Sequence, residues 1–171
     1  MRIAYQGEPG AYSEAAALRY SDHADVLPCE SFDEVFQAVA SGRATHGILP
    51  VENSIGGSIH RNYDLLLDHE LGITGEVELD IVHCLQALPG TKIADVKTVY
   101  SHPQALAQCE RYLKGLGVTV EAVYDTAGGA KLVSEQKLSG AAALASRRAA
   151  DVFGLEVLQE AVQDFEYNIT R

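Results

Sequence analysis

The sequence predicts an α/β fold with largely parallel strands, and three observations support this prediction. Short strand-like runs alternate with helical stretches along all 171 residues. Small and polar residues cluster after the strand-like runs and before the helical ones. The order of strands and helices in the first half is similar to the order in the second half, so one domain and two small lobes both fit the pattern.

Six segments of the first half alternate between strand and helix. They are the strand RIAYQ, the helix YSEAAALRYS, the strand ADVLPC, the helix SFDEVFQAVASG, the strand THGILPVEN and the helix HRNYDLLLDHELG. Ser31 and Glu34 have the spacing of a capping box at the start of the second helix, and Gly42 is typical of its end. Gly72 predicts the end of the third helix.

The second half repeats this alternation after a long extended stretch. ITGEVELDIVHCLQALPG alternates like one or two strands and is long enough to carry the chain from one lobe to another. It is followed by the strand VKTVYSH, the helix PQALAQCERYLKGLG, the strand VTVEAVYDT, the helix AGGAKLVSEQ, the strand GAAALAS and the helix RRAADVFG. Pro103 is suited to the first turn of its helix. The closing run LEVLQEAVQDFEYNITR is predicted to be extended at first.

Charge and hydropathy limit the classes of partner. The formal net charge is −11 and the 13 basic residues are spread thinly, so no Lys/Arg stripe is available for phosphates and we expect no nucleic acid partner. No apolar run approaches the roughly 20 residues that a membrane span needs, so we expect no membrane partner. The start MRIAYQGEPG is typical of a strand rather than of a signal peptide, and this predicts a cytoplasmic protein.

Motifs for metals and phosphate cofactors are missing. Cys29, Cys84 and Cys109 are far apart and odd in number, which argues against a disulfide framework or a zinc ribbon. The six histidines show no HExxH-like spacing, although scattered residues could still form a metal site. The stretch from Gly7 to Gly10 lacks both the GxGxxG spacing and a following GK[ST]. We therefore expect no metal and no cofactor.

Five small and polar clusters lie between a predicted strand and the helix that follows it. They are GEPGAYS (7–13), VENSIGGS (51–58), SHPQ (101–104), DTAGG (125–129) and SRR (146–148). In open α/β sheets, ligands bind outside the carboxyl ends of the strands, where helix N-terminal amides point toward them. The same clusters are also typical of ordinary loops with caps and turn glycines. Two interpretations of these clusters therefore stay open, an anion-binding site and a set of structural loops.

Individual residues in these clusters also have two open interpretations. Glu52 follows a hydrophobic strand, where an ionisable group either caps a neighbour or takes part in function. Gln104 and Gln108 lie one helical turn apart and could bind a ligand, although glutamines are more often exposed to solvent. Neither a serine-hydrolase motif nor an obvious acid and base pair of carboxylates is present.

Taken together, five motifs resemble those of one known family. YQGEPGAYSEAA, LPVENSIGGSIHRNYDLLL, SHPQALAQCE, DTAGGAK and the final NITR occur in the order found in the prephenate and arogenate dehydratases of phenylalanine biosynthesis. The resemblance covers essentially the whole chain, and SHPQALAQC together with NxTR is specific to that family. The versions YQGEPGAYSEAA and GGSIHRNYDLLL resemble the arogenate-type branch more than the prephenate-only forms.

The resemblance implies both a fold and a reaction. The fold would be two α/β lobes like those of type II periplasmic binding proteins, with the active site in the cleft, lobe 1 spanning 1–76 plus 163–171 and lobe 2 spanning 77–162. The enzyme would remove a ring carboxylate as carbon dioxide and a ring hydroxyl as water, from prephenate or arogenate, without metal or organic cofactor. A non-catalytic module of the same shape that binds a small anion is the alternative, and a homo-oligomer stays open.

The resemblance also implies roles for particular residues. Thr170 would be catalytic, as the hydrogen-bond or proton donor to the leaving hydroxyl. The substrate-binding residues would be Asn53, Ser54, Glu52, Ser101, Gln104, Gln108, Thr126 and Arg171. Arg171 is suited to pair with a carboxylate through two hydrogen bonds. Glu52 would orient neighbours or bind an amino group, which arogenate has and prephenate lacks.

The sequence departs from the family pattern in two respects. The family motif normally continues as TRF, whereas the sequence ends at Arg171. Most members carry a C-terminal ACT domain that binds phenylalanine, and nothing in these 171 residues corresponds to it. We therefore expect a dehydratase domain without an ACT domain.

Overall fold

The computed structural model describes residues 1–171, which form two compact units. Unit 1 contains residues 1–8, 12–81 and 167–171, and unit 2 contains residues 9–11 and 82–166. The lobe boundaries that the resemblance implies remain a prediction. None of the helices has the length and apolar character needed to cross a membrane.

The chain alternates between strands and α-helices, as the sequence predicts. The strands are β1 (Arg2–Gln6), β2 (Asp25–Cys29), β3 (His46–Ile48), β4 (Glu52–Asn53), β5 (Gly57–Ser58), β6 (Leu79–Asp80), β7 (Cys84–Ala87), β8 (Thr98–Ser101), β9 (Thr119–Ala122), β10 (Ala141–Ala145), β11 (Glu156–Gln159) and β12 (Ile169–Thr170). The helices are α1 (Tyr12–Tyr20), α2 (Phe32–Ala40), α3 (His60–Asp68), α4 (Pro103–Gln108), α5 (Glu110–Leu116), α6 (Thr126–Glu135) and α7 (Arg147–Phe153). A short 3₁₀ turn at Ile93–Asp95 has no counterpart in the sequence-based prediction.

The first sheet of unit 1 is a parallel sheet of three strands in the order β2-β1-β3. Helix α2 packs against it and buries Val35 with Ala4 and Cys29. The N-cap predicted for α2 is present, since the Ser31 hydroxyl accepts a hydrogen bond from the Glu34 amide at 3.2 Å, but the reciprocal bond of a capping box is not formed. The Glu34 carboxylate accepts from the Glu30 amide rather than from the amide of Ser31.

The second sheet of unit 1 has four two-residue strands in the order β5-β4-β12-β6, and all of its pairings are antiparallel. The sequence predicts largely parallel strands, so this sheet is a correction. The predicted strand THGILPVEN is divided between the two sheets, because β3 ends at Ile48 and β4 begins at Glu52. Pro50 lies between them and has no backbone N–H to donate to a ladder.

Helix α3 ends at Asp68, four residues before the predicted end at Gly72. His69 has an extended backbone (φ −119°, ψ 135°), and its ring stacks on Phe36 of α2 with 4.9 Å between ring centroids. The tertiary contact therefore takes His69 out of the helix.

Unit 2 is built on a five-stranded sheet in the order β11-β7-β10-β8-β9. Strands β8, β9 and β10 run parallel, while β7 is antiparallel to both of its neighbours. Every residue of β10 is buried, as expected for a central strand covered on both faces. The core includes Leu85, Val99 and Leu144 from three adjacent strands.

The sequence predicts a single helix from Pro103 to Gly117, but the structure breaks it at Cys109 (φ −118°, ψ 21°). The break has a tertiary cause in Asp164. Its backbone N–H donates to the Gln108 carbonyl at 2.7 Å, and its carboxylate accepts from the Arg111 amide at 3.1 Å. These two bonds take the place of helical ones, so α4 and α5 are separate helices.

Candidate functional site

The Asn53 side chain is the centre of a hydrogen-bonded cluster in unit 1. It is buried in β4, and its Oδ1 accepts from the backbone amides of Ile55 (3.1 Å) and Gly56 (2.7 Å). Its Nδ2 donates to Asn168 Oδ1 at 2.8 Å and to Thr170 Oγ1 at 2.9 Å. Since an amide has two donor hydrogens and one acceptor oxygen, these bonds use the full capacity of the side chain. Asn53 therefore holds other residues in place.

The bond from Asn53 determines how the Thr170 hydroxyl can act. Thr170 lies in β12 directly opposite Asn53 in β4, and it is half-buried. A hydroxyl has one hydrogen to donate, and its oxygen already accepts from Asn53. Accepting a hydrogen bond stabilises negative charge on that oxygen, which makes donation of the proton easier. The geometry thus suits Thr170 for giving its hydrogen to a third group.

Backbone bonds attach the final residues of the chain to β4. The Arg171 amide donates to the Glu52 carbonyl at 2.8 Å, and the Val51 amide donates to the Arg171 carbonyl at 2.8 Å. The Ile169 amide donates to the Ser54 hydroxyl at 2.9 Å. The hydroxyl of Ser54, predicted to bind substrate, is therefore a structural acceptor, and NITR is an integral part of the sheet.

Arg171, predicted to bind a carboxylate of the substrate, has two carboxylate partners within unit 1. Its guanidinium lies 3.0 Å from Glu78 and 3.8 Å from Glu76, and all three side chains are about half exposed or more. The hydrogen bond from Glu78 and the charges of Glu76, Glu78 and Glu52 raise the pKa of Arg171 above its ordinary value. A substrate carboxylate would have to compete with these acids for the guanidinium.

In unit 2, Gln108 is buried and bonded to a residue that the sequence did not single out. Its Oε1 lies 2.8 Å from Nε2 of His83, which is also buried. Burial lowers the pKa of His83, and the hydrogen bond with Gln108 opposes this shift. Gln104, one turn earlier in α4, is exposed, so the two glutamines have different environments.

The other two predicted residues of unit 2 lie in the scaffold of its sheet. Ser101 ends β8, is fully buried, and donates its hydroxyl hydrogen to the Leu144 carbonyl at 2.6 Å. Thr126 is the first residue of α6 and is half-buried. The Asp125 side chain caps that helix by accepting from the Gly128 amide.

Two glycines of the polar clusters are explained by close packing. A Cβ at Gly129 would lie 2.9 Å from the Tyr100 carbonyl oxygen. Gly10 has φ of +90°, and a Cβ there would lie 2.7 Å from the Ala149 Cα. Both positions require glycine for the approach of two backbones. For GEPGAYS and DTAGG, the interpretation as structural loops therefore has direct support at these two residues.

Two polar residues that bond to predicted site residues, one in each unit, had not been selected from the sequence. Asn168 is buried, accepts from Asn53, and accepts at its carbonyl from the Ile81 amide at 2.7 Å. Asn168 belongs to the NITR motif, and this was the sequence feature that could have identified it. His83 had only a weak signal, as a polar residue within the otherwise apolar run IVHCLQAL. No group of three His, Cys, Asp or Glu side chains is placed to hold a metal ion.

The fold and the cluster define an α/β protein whose candidate site is centred on a threonine hydroxyl. A family model described as prephenate dehydratase matches residues 3–171. The chain belongs to the prephenate dehydratase family. The resemblance read from the five motifs is thereby confirmed.

Curated relatives extend beyond the length of this chain. The chain is 54% identical over 173 residues to "Arogenate dehydratase/prephenate dehydratase 6, chloroplastic" of Arabidopsis thaliana, covering 100% of this chain and 42% of that protein. It therefore spans less than half of that relative.

Two solved structures are similar to nearly the whole chain. Prephenate dehydratase of Arthrobacter aurescens in complex with L-Phe is 27% identical, with a TM-score of 0.91 over 99% of this chain and 58% of that one. A protein described as GqqA, a novel type of quorum quenching acylase, is 38% identical, with a TM-score of 0.92 over 99% of this chain and 62% of that one. The α/β fold class predicted from the sequence is confirmed.

Proposed function

We propose that this chain is the catalytic part of a dehydratase of phenylalanine biosynthesis, which converts arogenate to phenylalanine, prephenate to phenylpyruvate, or both. Membership of the prephenate dehydratase family and 54% identity to the Arabidopsis enzyme support this proposal. The single structural observation that carries it is the 2.9 Å hydrogen bond from Asn53 to the Thr170 hydroxyl.

The proposed reaction needs a donor for the departing hydroxyl. As the ring carboxylate leaves as carbon dioxide, its bonding electron pair enters the ring, and the C–O bond to the hydroxyl breaks. Thr170 gives its hydrogen to that oxygen, so that water leaves and the ring becomes aromatic. Asn53 supports the transient negative charge on Thr170 Oγ1 through its N–H, and solvent returns the proton afterwards.

Charge around the terminal arginine favours arogenate over prephenate. Arg171 is surrounded by Glu52, Glu76 and Glu78, and the whole chain has a net charge of −11. Prephenate carries two carboxylates and no cation, whereas arogenate carries an ammonium group in addition. We propose that Arg171 binds a substrate carboxylate and that a neighbouring carboxylate, with Glu52 as the candidate, binds the ammonium group.

The proposal is tested by incubating the protein near neutral pH with each substrate separately. Phenylalanine from arogenate or phenylpyruvate from prephenate, formed faster than in the matched sample without protein, is the expected result. A measured binding constant without product would favour the non-catalytic anion-binding module. Neither product rising above the background rate would contradict the dehydratase proposal for this chain.

A second candidate function is hydrolysis of an acylated amine, suggested by the 38% identity to the protein described as an acylase. Its support within this chain is weaker. The Thr170 hydroxyl accepts from an amide, and the buried hydroxyls of Ser101 and Ser146 donate to backbone carbonyls. A hydroxyl nucleophile ordinarily needs an adjacent base. Release of free amine from N-acyl substrates by the same preparation would establish this activity.

The cellular location of this protein is proposed from the description of a curated relative. The Arabidopsis relative is described as chloroplastic, so the cytoplasmic location expected from the sequence is not confirmed. We propose a plastid location if the chain comes from a plant. A fluorescent fusion of the full gene product in plant cells would test this, and signal confined to the cytosol would contradict it.

A further inference from the structure

His83 is a buried residue for which the proposed chemistry has assigned no role. It is 2% exposed and precedes β7. Its backbone is bonded on both sides by one segment, because its amide donates to Gln163 Oε1 at 3.1 Å and its carbonyl accepts from the Val162 amide at 3.0 Å. The main chain of His83 is therefore fixed, and its ring is buried beside Gln108.

The contact between His83 and Gln108 defines the orientation of the amide. Gln108 Oε1 is a carbonyl oxygen and can only accept, so the hydrogen in the 2.8 Å bond must be on Nε2 of His83. The oxygen of the amide therefore faces the imidazole. The NH₂ group lies on the other side of the Cγ–Cδ bond. Because burial lowers the pKa of His83, the ring is neutral at neutral pH.

The same segment that holds His83 also holds Gln108. The Asp164 amide donates to the Gln108 carbonyl at 2.7 Å, and the Asp164 carboxylate fixes the start of α5 through the Arg111 amide. Residues 162–164 thus bring the two side chains together within unit 2. The hydrogen bond from His83 then favours the rotation of the Gln108 amide group that turns its oxygen toward the ring.

We propose that His83 is a positioning residue that makes Gln108 a hydrogen-bond donor toward an anionic group of the substrate. This inference rests on the proposed dehydratase function and on Gln108 as one of its substrate ligands. If the amide rotated by 180°, its carbonyl oxygen would face the anion and repel it. A residue that acts in this way contributes through Gln108 and has no independent effect on the reaction.

A double-mutant cycle separates positioning from general structural support. His83→Phe keeps a flat ring and removes the donor, and Gln108→Leu removes the amide. We expect His83→Phe to lower kcat/KM by about 10- to 100-fold, the size associated with losing one oriented hydrogen bond to a charged group. In the Gln108→Leu background, the same change should have less than a two-fold effect. An equal loss in both backgrounds would overturn the proposal.

Two further variants provide controls for folding and chemistry. His83→Gln places an amide N–H near the position of Nε2 and should restore kcat/KM to within a few-fold of the unmodified chain. His23→Phe changes an exposed histidine, with 93% of its side chain accessible, and should have no effect. Failure of His83→Gln to exceed His83→Phe would contradict the positioning role.

Side-chain NMR tests the inference separately from turnover. We expect the two Gln108 amide protons to give distinct, slowly exchanging signals, and the His83 Nε2 to carry a proton. In His83→Gln the slow exchange of these protons should persist, and in His83→Phe they should exchange with water faster and move toward the chemical shifts of an exposed glutamine. Unchanged Gln108 signals in His83→Phe would overturn the positioning role, whereas absence of turnover in the unmodified chain would overturn the proposed function itself.

Discussion

The two units use their predicted site residues in opposite ways. In unit 1, Asn53 and Thr170 bond to each other, and the backbone of Arg171 bonds to that of Glu52. In unit 2, Ser101 bonds to a core strand and Gln108 bonds to a histidine that no motif indicated. Motifs shared with a family therefore contain different kinds of residue: Asn53 and Thr170 bond to each other at the candidate site, whereas Ser101 holds the scaffold of its sheet.

The difference has a physical origin in the two kinds of sheet. The sheet that holds Thr170 is made of two-residue antiparallel strands, which bring polar side chains from distant segments opposite each other. The sheet of unit 2 has a fully buried central strand, so a polar side chain beside it must find a partner in the protein. Substitutions at Asn53 and Thr170 should therefore mainly change turnover, and substitutions in the packed scaffold around the unit 2 sheet should mainly change stability.

The largest effect is expected at Thr170. Thr170→Val is nearly equal in shape but cannot donate, so kcat should fall by about 10²- to 10⁴-fold while KM stays within a few-fold. Thr170→Ser keeps the hydroxyl and serves as the matched control, with a loss of less than about tenfold. Steady-state kinetics with both substrates measures this, and full activity of Thr170→Val would show that the terminus is dispensable.

Asn53 provides the next test, because the oxygen and the nitrogen of its side-chain amide have separable roles. Asn53→Asp keeps an oxygen for the amides of Ile55 and Gly56 but cannot donate to Thr170, so we expect kcat to fall by about 100-fold in a folded protein. Asn53→Leu removes both functions and should also lower the free energy of unfolding by about 1–3 kcal/mol. If Asn53→Asp retained normal kcat, the bond to Thr170 would have no catalytic importance.

Gly129 tests the structural role assigned to unit 2. Gly129→Ala would place a Cβ 2.9 Å from the Tyr100 carbonyl oxygen, and we expect a loss of about 1–3 kcal/mol in unfolding free energy. Gly115 in α5 is the matched control, since a Cβ there meets no atom within 4 Å and alanine favours the helix by about 0.5–1 kcal/mol. Urea unfolding of both variants measures the difference, and equal stabilities would contradict the packing argument.

A smaller effect is expected at Arg171, whose side chain is about half exposed. Arg171→Lys should raise KM by about five- to tenfold with little change in kcat, because a point charge replaces a planar two-bond donor. Glu78→Gln should lower KM, because it removes the carboxylate that competes for Arg171 at 3.0 Å. Arg2→Lys, at another exposed ion pair, is the control. A fall in kcat alone would contradict a binding role.

The smallest effect concerns pH and His83. Burial lowers its pKa from the ordinary 6.5, so below that pH the unfolded chain binds more protons than the folded one. Its contribution to stability is therefore present above pH 6.5 and is lost as the pH falls below that value. His83→Gln should reduce the stability difference between pH 7.5 and 5.5 in urea unfolding, and His23→Gln should not. The same difference in unfolding free energy between the two pH values in the unmodified chain and in both variants would contradict the assignment to His83.

Local sequence signals predicted much of the architecture correctly. The Ser31 cap, Pro103 in the first turn of α4 and the alternation of strand and helix all depend on interactions within a few residues. The predictions that were wrong concern distant contacts. Asp164 breaks the helix predicted from Pro103 to Gly117, and the stack of His69 on Phe36 shortens α3.

The sequence by itself determined the α/β elements, their caps and the family motifs, because each of these is encoded by neighbouring residues. Only the tertiary structure decided which polar side chains meet. Asn53 and Thr170 are 117 residues apart in the chain and bond at 2.9 Å, and Arg171 finds its partners in Glu76 and Glu78. Such pairings depend on strand register across a sheet, where a shift of one residue turns each side chain to the other face.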